Sequence, residues 1–134
     1  MAPNKSVLAF RKLTVDMQRE IFNDAVAELD SQADNLVQTM RGVVVHGPTS
    51  NLANSIRKEP GKKETVVVVR AGGATTTVQH SGRPPYDYAR AVEFGAQGNP
   101  AQPFFFASYR LMKKSIRSAM RRKITKNIKK YSAE

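Results

Sequence analysis

No cysteine occurs in the 134 residues, so the chain has no thiol nucleophile, no disulfide framework and no thiolate metal site. A reducing place of synthesis fits that absence. Histidine is scarce as well. His46 and His80 are the two present, and neither stands in a metal-ligand spacing or beside an evident nucleophile, so both read as ordinary surface or strand-end residues. Apolar runs stop at four or five residues, far short of the ~20 that a membrane-crossing helix needs. The opening MAPNKSVLAF holds only a short apolar patch at Val7 to Phe10, without the h-region of a secretory signal, so a soluble protein is expected. Acid is missing where base is dense: residues 107–134 hold ten Lys/Arg against Glu134 alone, which places +9 of the net +11 in that segment. Such a balance points to nucleic acid, an anionic membrane surface or an acidic protein partner.

What is present suits one domain over residues 1–134, since 40% hydrophobic composition supplies a modest core. Residues 1–13 read as an N-terminal extension. From Thr14 the positions Ile21, Phe22, Ala25, Val26, Leu29, Ala33, Leu36, Val37 and Met40 recur at steps of three and four, predicting an amphipathic helix over 14–41 with Thr14 as cap and Gly42 as stop. On another face Asp16, Glu20, Asp24 and Glu28 follow one another at intervals of four, a row of like charges that a basic partner would relieve. A helix row spreads its carboxylates along one axis and does not converge them on a cation, so no metal or cofactor is expected.

Residues 43–95 read as a short helix and strands. A strand signal at Val43 to Val45 is followed by a turn at His46 to Ser50 and a short helix around Asn51 to Arg57. Glu59 to Lys63 reads as a turn, and Thr65 to Arg70 as a strand that returns through Gly72 and Gly73 as a second strand over Thr75 to His80. That glycine pair lacks the G-x-G-x-x-G pattern of a phosphate cradle. Tyr86 to Phe94 fits a short helix or a strand, with the alternation of Ala91, Glu93 and Gly95 against Val92 and Phe94 favouring a strand at its end.

Residues 96–104 form a loop, and the spacing Phe105, Tyr109, Met112, Ile116, Met120, Ile124, Ile128 predicts a basic helix over 105–131. The expected fold is α+β: a small antiparallel sheet packed against a long N-terminal helix and a long basic C-terminal helix.

Two constellations stand out as assembly contacts. Arg110, Lys113, Lys114, Arg117, Arg121 and Arg122, with the cations that follow them, are suited to phosphates or to an acidic protein surface, the acidic row of the first helix among the candidates. A chain with one acidic and one basic helix also suits head-to-tail contact between copies, which closes into a ring when the rotation permits. The second constellation is aromatic. Phe104, Phe105 and Phe106 cannot all share one face; Phe105 joins the helical stripe, while Phe104 or Phe106 locks the loop onto the sheet or a neighbouring subunit. Glu93, between Val92 and Phe94, is either a solvated strand residue or the partner of Arg83, Arg90 or the basic helix.

The segment Pro48-Thr49-Ser50-Asn51-Leu52-Ala53-Asn54-Ser55-Ile56 resembles the P-x-T-G-x-L-x-x-S-I segment of the neck, or tail-completion, family of long-tailed bacteriophages, with Ser50 where that family commonly has glycine. Tyr88-Ala89, Val92-Glu93-Phe94-Gly95 and Ala101-Gln102-Pro103-Phe104-Phe105 resemble its Y-A-x-x-v-E-f-G … p-a-x-P-F-l signature, and the likeness covers roughly residues 14 to 130. It implies a non-enzymatic minor tail or head-tail joining component, made in the host bacterial cytoplasm and carried in the virion neck. There it would form a ring around the DNA channel and contact other neck and tail proteins. A tail terminator and a nucleic-acid-binding module that uses the basic helix are the alternatives.

Overall fold

The computed structural model describes residues 4–44 and 50–132, and shows the expected α+β class as two long helices with two small antiparallel sheets. Helix α1 spans Lys5–Val43. It starts earlier than Thr14 because Asn4 caps it, its side-chain oxygen accepting from the Ser6 N–H at 3.1 Å. Residues 5–13 are thus helix and no extension, and Thr14 lies inside it, its hydroxyl donating to the Phe10 carbonyl at 2.8 Å. At the other end Gly42 is carried within the last turn, and the chain leaves the helix at Val44, whose backbone is extended and whose N–H still bonds Met40 O. Val43 is therefore helical and not strand; Val45 and the expected turn at His46 to Thr49 lie outside the described residues.

Helix α2, Asn51–Ser55, follows the expected short helix and stops before Arg57. Its N-cap Ser50 has φ 54°, a left-handed conformation that costs a side-chain-bearing residue energy and that glycine adopts freely.

The sheet differs from the expectation. Strand β1 (Arg57–Pro60) pairs antiparallel with β2 (Val67–Arg70), in the register Arg57 with Arg70 and Pro60 with Val67. The turn of this hairpin is 61–66, closed by the Gly61 N–H on Val66 O, so Glu59 and Pro60 are strand and only the rest of the expected turn is turn. Gly72 and Gly73, with φ of 91° and 137°, do not reverse β2 onto a neighbour but steer it into a 3-10 turn at Ala74–Thr76. After it β3 (Thr77–Val78) pairs with β4 (Tyr86–Asp87). Charged side chains hold the first hairpin. Glu59 takes Arg57 at 3.0 Å and Arg70 at 2.7 Å, and Lys58 reaches Asp30 and Asp34 of α1 at 2.7 and 2.9 Å.

Helix α3 spans Tyr88–Phe94, where the alternation had favoured strand. Asp87 caps it and Gly95, at φ 84°, ends it. Helix α4 spans Phe106–Ser132, one residue later at each end than the spacing predicts, and runs antiparallel along α1. The core gathers at one end of this helix pair. Leu36, Val37, Met40 and Val44 meet Leu52, Ala53 and Ile56, Ala89 and Phe104, and Val69, Met112 and Ile116 pack partly buried around them. Toward the other end burial thins, so that Phe22 and Ile128 stay exposed although they lie on the predicted stripes.

Candidate functional site

The start of α4 has no capping residue of its own: Pro103, Phe104 and Phe105 precede it and its first turn carries no acid. Its exposed donors are met from α3. The Glu93 carboxylate, buried at 7% exposure, accepts the backbone N–H of Phe104 at 2.8 Å and of Phe105 at 2.9 Å on Oε2, and that of Phe106 at 3.0 Å on Oε1. A negative charge at a helix N-terminus is favoured both by these bonds and by the helix dipole. Neither sequence reading of Glu93 holds. It is not solvated, and its partners are amides in place of Arg83, Arg90 or the cations of α4. The helical turn explains its direction: Val92, Glu93 and Phe94 point ~100° apart in a helix, so Glu93 turns inward while Phe94 is 63% exposed.

The loop between the two helices is folded to present those amides. Ala96 and Asn99 bond each other reciprocally, and Gln102 N–H donates to Val92 O at 2.8 Å. A side chain at Gly95 would press on the Ala101 backbone. Beyond the loop the three phenylalanines diverge: Phe104 is 1% exposed, Phe105 half-buried and Phe106 44% exposed. Adjacent rings stand edge to face, and Phe106 meets Phe94 with centroids 6.0 Å apart. Phe94 and Phe106 border an open groove of about 330 Å³ that Arg90 and Asp87 also line.

Asp87 repeats the device for α3. Its Oδ1 accepts from the Ala89 N–H at 2.9 Å and the Thr76 hydroxyl at 2.6 Å, and its Oδ2 from the Gly73 N–H at 2.8 Å. Gly72 makes room, since a Cβ there would collide with the Asp87 carboxylate. Burial pushes the Asp87 carboxyl up, but the Thr76 hydroxyl and the two N–H groups outweigh it and hold it below the usual carboxylate range. Glu59 is lowered as well, chiefly by the hydrogen bond from Arg57.

An Asp depressed in the folded state stabilises fully above its unfolded value of ~3.9, and the benefit fades as pH falls through the lower folded value. Urea midpoints of wild type and Asp87→Asn are therefore expected to differ at neutral pH and to converge as pH falls below the ordinary carboxylate range and through the lower folded value. A gap that stays constant with pH would contradict this account.

The charged candidates divide. Glu20 accepts from Lys130 at 2.9 Å and from the Tyr131 hydroxyl, and Asp24 accepts from Asn127 at 2.7 Å, so two members of the acidic row do meet α4 within one subunit. Glu28 is held by Gln32 of its own helix at 3.0 Å, and Asp16 is exposed. Among the described residues Lys130 is the α4 cation in an ion pair. Arg110, Lys114, Arg117 and Arg121, spaced four, three and four apart, fall within a ~60° arc of α4 and are all exposed; Arg122 is exposed to one side and Lys113 half-buried. The described part of α4 contains no acid.

Among the described residues no helix is long and apolar enough to cross a membrane, and no group of three or more His, Cys, Asp or Glu is placed to hold a metal ion. Comparison of the chain with family models, with curated proteins and with solved structures returned no match.

Proposed function

We propose that this chain is a structural component of a long-tailed phage neck, joining head to tail or completing the tail end as one subunit of a ring. The observation that carries the reading is the Glu93 cap. Val92-Glu93-Phe94-Gly95 and Pro103-Phe104-Phe105, the residues on which the resemblance rests, meet each other through the Glu93 carboxylate. Their task is architectural: they fix where α4 begins and turn Phe94 and Phe106 outward together. A rigid corner with two exposed rings beside a helix of one charge suits contact with other proteins. The assembly would be made in the bacterial cytoplasm and carried in the virion, with other neck and tail proteins as partners.

The test is a density map of particles assembled with and without the chain, together with the mass of the purified protein at low and high salt. The expected result is density at the head-tail junction, and a ring that loosens as salt rises. Particles that join normally without the chain would end the reading.

The row Arg110, Lys114, Arg117, Arg121 favours a second reading, in which α4 lies along the phosphates of duplex DNA. Four contacts predict that log K falls against log salt with a slope of about −3.6, and the fourfold Gln variant should abolish the dependence.

A further inference from the structure

The first hairpin has two outer edges, and they are not alike. Because the Gly61 N–H bonds Val66 O, the alternation of an antiparallel ladder places the bonds between β1 and β2 at Glu59 with Val68 and at Arg57 with Arg70. The N–H and C=O groups of the intervening residues point away from the partner strand. On β1 these residues are Lys58 and Pro60. Proline has no N–H to offer, and the Lys58 ammonium is held by Asp30 and Asp34, so that edge is blunted. On β2 they are Val67 and Val69, and the same alternation carried one step on reaches Ala71. Among the described residues no group bonds these three backbones on that side. All three residues are half-buried, a place where water or a partner must answer an N–H and a C=O. Donors and acceptors that recur at every second residue, ~6.6 Å apart, match the backbone of another extended strand.

This edge runs into the groove between α3 and α4. Ala71 lines the groove together with Arg90, Phe94 and Phe106, so a strand laid along Val67 to Ala71 is led to the two exposed rings. The charges there decide what such a strand must carry. Asp87 and Glu93, the acids of the groove wall, are taken up by hydroxyl and N–H donors. Arg90 is exposed, and among the described residues its guanidinium has no hydrogen-bond or ion-pair partner. Arg110, one turn beyond Phe106 on α4, is exposed as well. A groove walled by rings, with its acids sealed and a guanidinium open, takes an apolar side chain and beside it a carboxylate, and repels a basic segment.

We infer that the outer edge of β2 and the groove at Phe94 and Phe106 form one docking site. An extended, acidic-ended segment of another protein adds there as a third strand, lays an apolar side chain against the two rings and sets a carboxylate on Arg90. This site deepens the reading of that corner as a protein contact, but needs neither the ring nor the virion. Peptide binding is read on the purified chain, so it can fail while particles still require the chain, and hold where they do not.

Titration of the full chain with fluorescently labelled Thr-Val-Thr-Val-Thr-Phe-Glu-Glu, acetylated and amidated, tests the site. The expected result is saturable binding with a Kd below about 1 mM, weakened at least about fivefold when Lys-Lys replaces Glu-Glu or in Arg90→Gln. N-methylation of every second peptide residue removes donors from one side of the strand, so one alternate set should abolish binding and the other spare it. Val67→Pro deletes an outward N–H of the edge and leaves the ladder bonds of Val68 and Arg70 in place. It should weaken binding at least about tenfold with circular dichroism unchanged; should it fail to fold, the two methylated peptides on wild type decide the same point. Wild type without saturation, methylated peptides that bind alike, acidic and basic peptides that bind alike, or a folded Val67→Pro or Arg90→Gln that binds like wild type would each overturn the inference. So would wild type that self-associates in sedimentation and loses that association in Val67→Pro, since the edge would then belong to a second copy.

Discussion

Glu93→Ala is expected to cost about 3 to 4 kcal/mol of folding stability, read from urea or thermal unfolding. The substitution leaves the N–H groups of Phe104, Phe105 and Phe106 without an acceptor at a corner where Phe104 is buried. An unsatisfied buried donor costs ~1–3 kcal/mol, and losing a helix cap alone costs ~1 kcal/mol. Against a total stability of ~5–15 kcal/mol for a domain of this size, the loss shows as partial unfolding near physiological temperature.

Glu93→Gln is expected to cost about half as much, because the amide keeps one oxygen for the donors and turns its NH₂ toward the other. Arg83→Gln and Arg90→Gln should leave stability unchanged, since neither guanidinium is the partner of Glu93. A loss below about 1 kcal/mol in Glu93→Ala would sink the capping account.

Little of that cap was readable in advance. Alternation over 91–95 is shared by a strand and by the last turn of a short helix, because a run of five residues samples too little of either period. One clue was available. The stretch Ala101-Gln102-Pro103-Phe104-Phe105-Phe106 offers no Ser, Thr, Asp or Asn at the head of a strongly predicted helix, so its donors had to be met from elsewhere. Asp87, directly before Tyr88-Ala89-Arg90-Ala91, carries the ordinary cap signal for a helix at 88. The same holds for Asn4, which moves the start of α1 from Thr14 to Lys5.

The long helices were legible because their apolar spacing persists over many turns, whereas the hairpin was not. β1 is Arg57-Lys58-Glu59-Pro60, which by composition reads as turn; it is a strand because its charges are answered by Arg70 and by Asp30 and Asp34 of a helix far away in sequence. Gly72 and Gly73 signalled a change of direction correctly but not its destination. Their positive φ serves the approach to Asp87, a tertiary contact with no local trace. The charge pattern makes the acidic row and the basic helix possible partners, and Glu20 and Asp24 do reach α4, but through Lys130, Tyr131 and Asn127, and not through the arginines of its first half.

The three phenylalanines should separate cleanly in their energetic roles. The stripe reading assigns the greatest cost to Phe105, yet the buried ring is Phe104, packed against the cluster that holds Met40, Ile56 and Ala89. Phe104→Ala is expected to cost about 3–5 kcal/mol, as fully buried aromatic truncations do, because the cavity lies in the cluster to which all four helices and the first hairpin contribute. Phe105→Ala, half-buried, should cost roughly half of that, while Phe106→Ala should fall within about 1 kcal/mol. The ordering matters more than the sizes. Phe94 and Phe106, exposed and touching, contribute little to folding, so any loss of assembly in Phe94→Ala or Phe106→Ala at unchanged melting temperature marks the pair as a contact with another subunit or partner. Measuring melting temperature and assembled mass for the four variants side by side decides it. If Phe105→Ala proves more destabilising than Phe104→Ala, the loop is not seated as described and the cap that positions it loses its support.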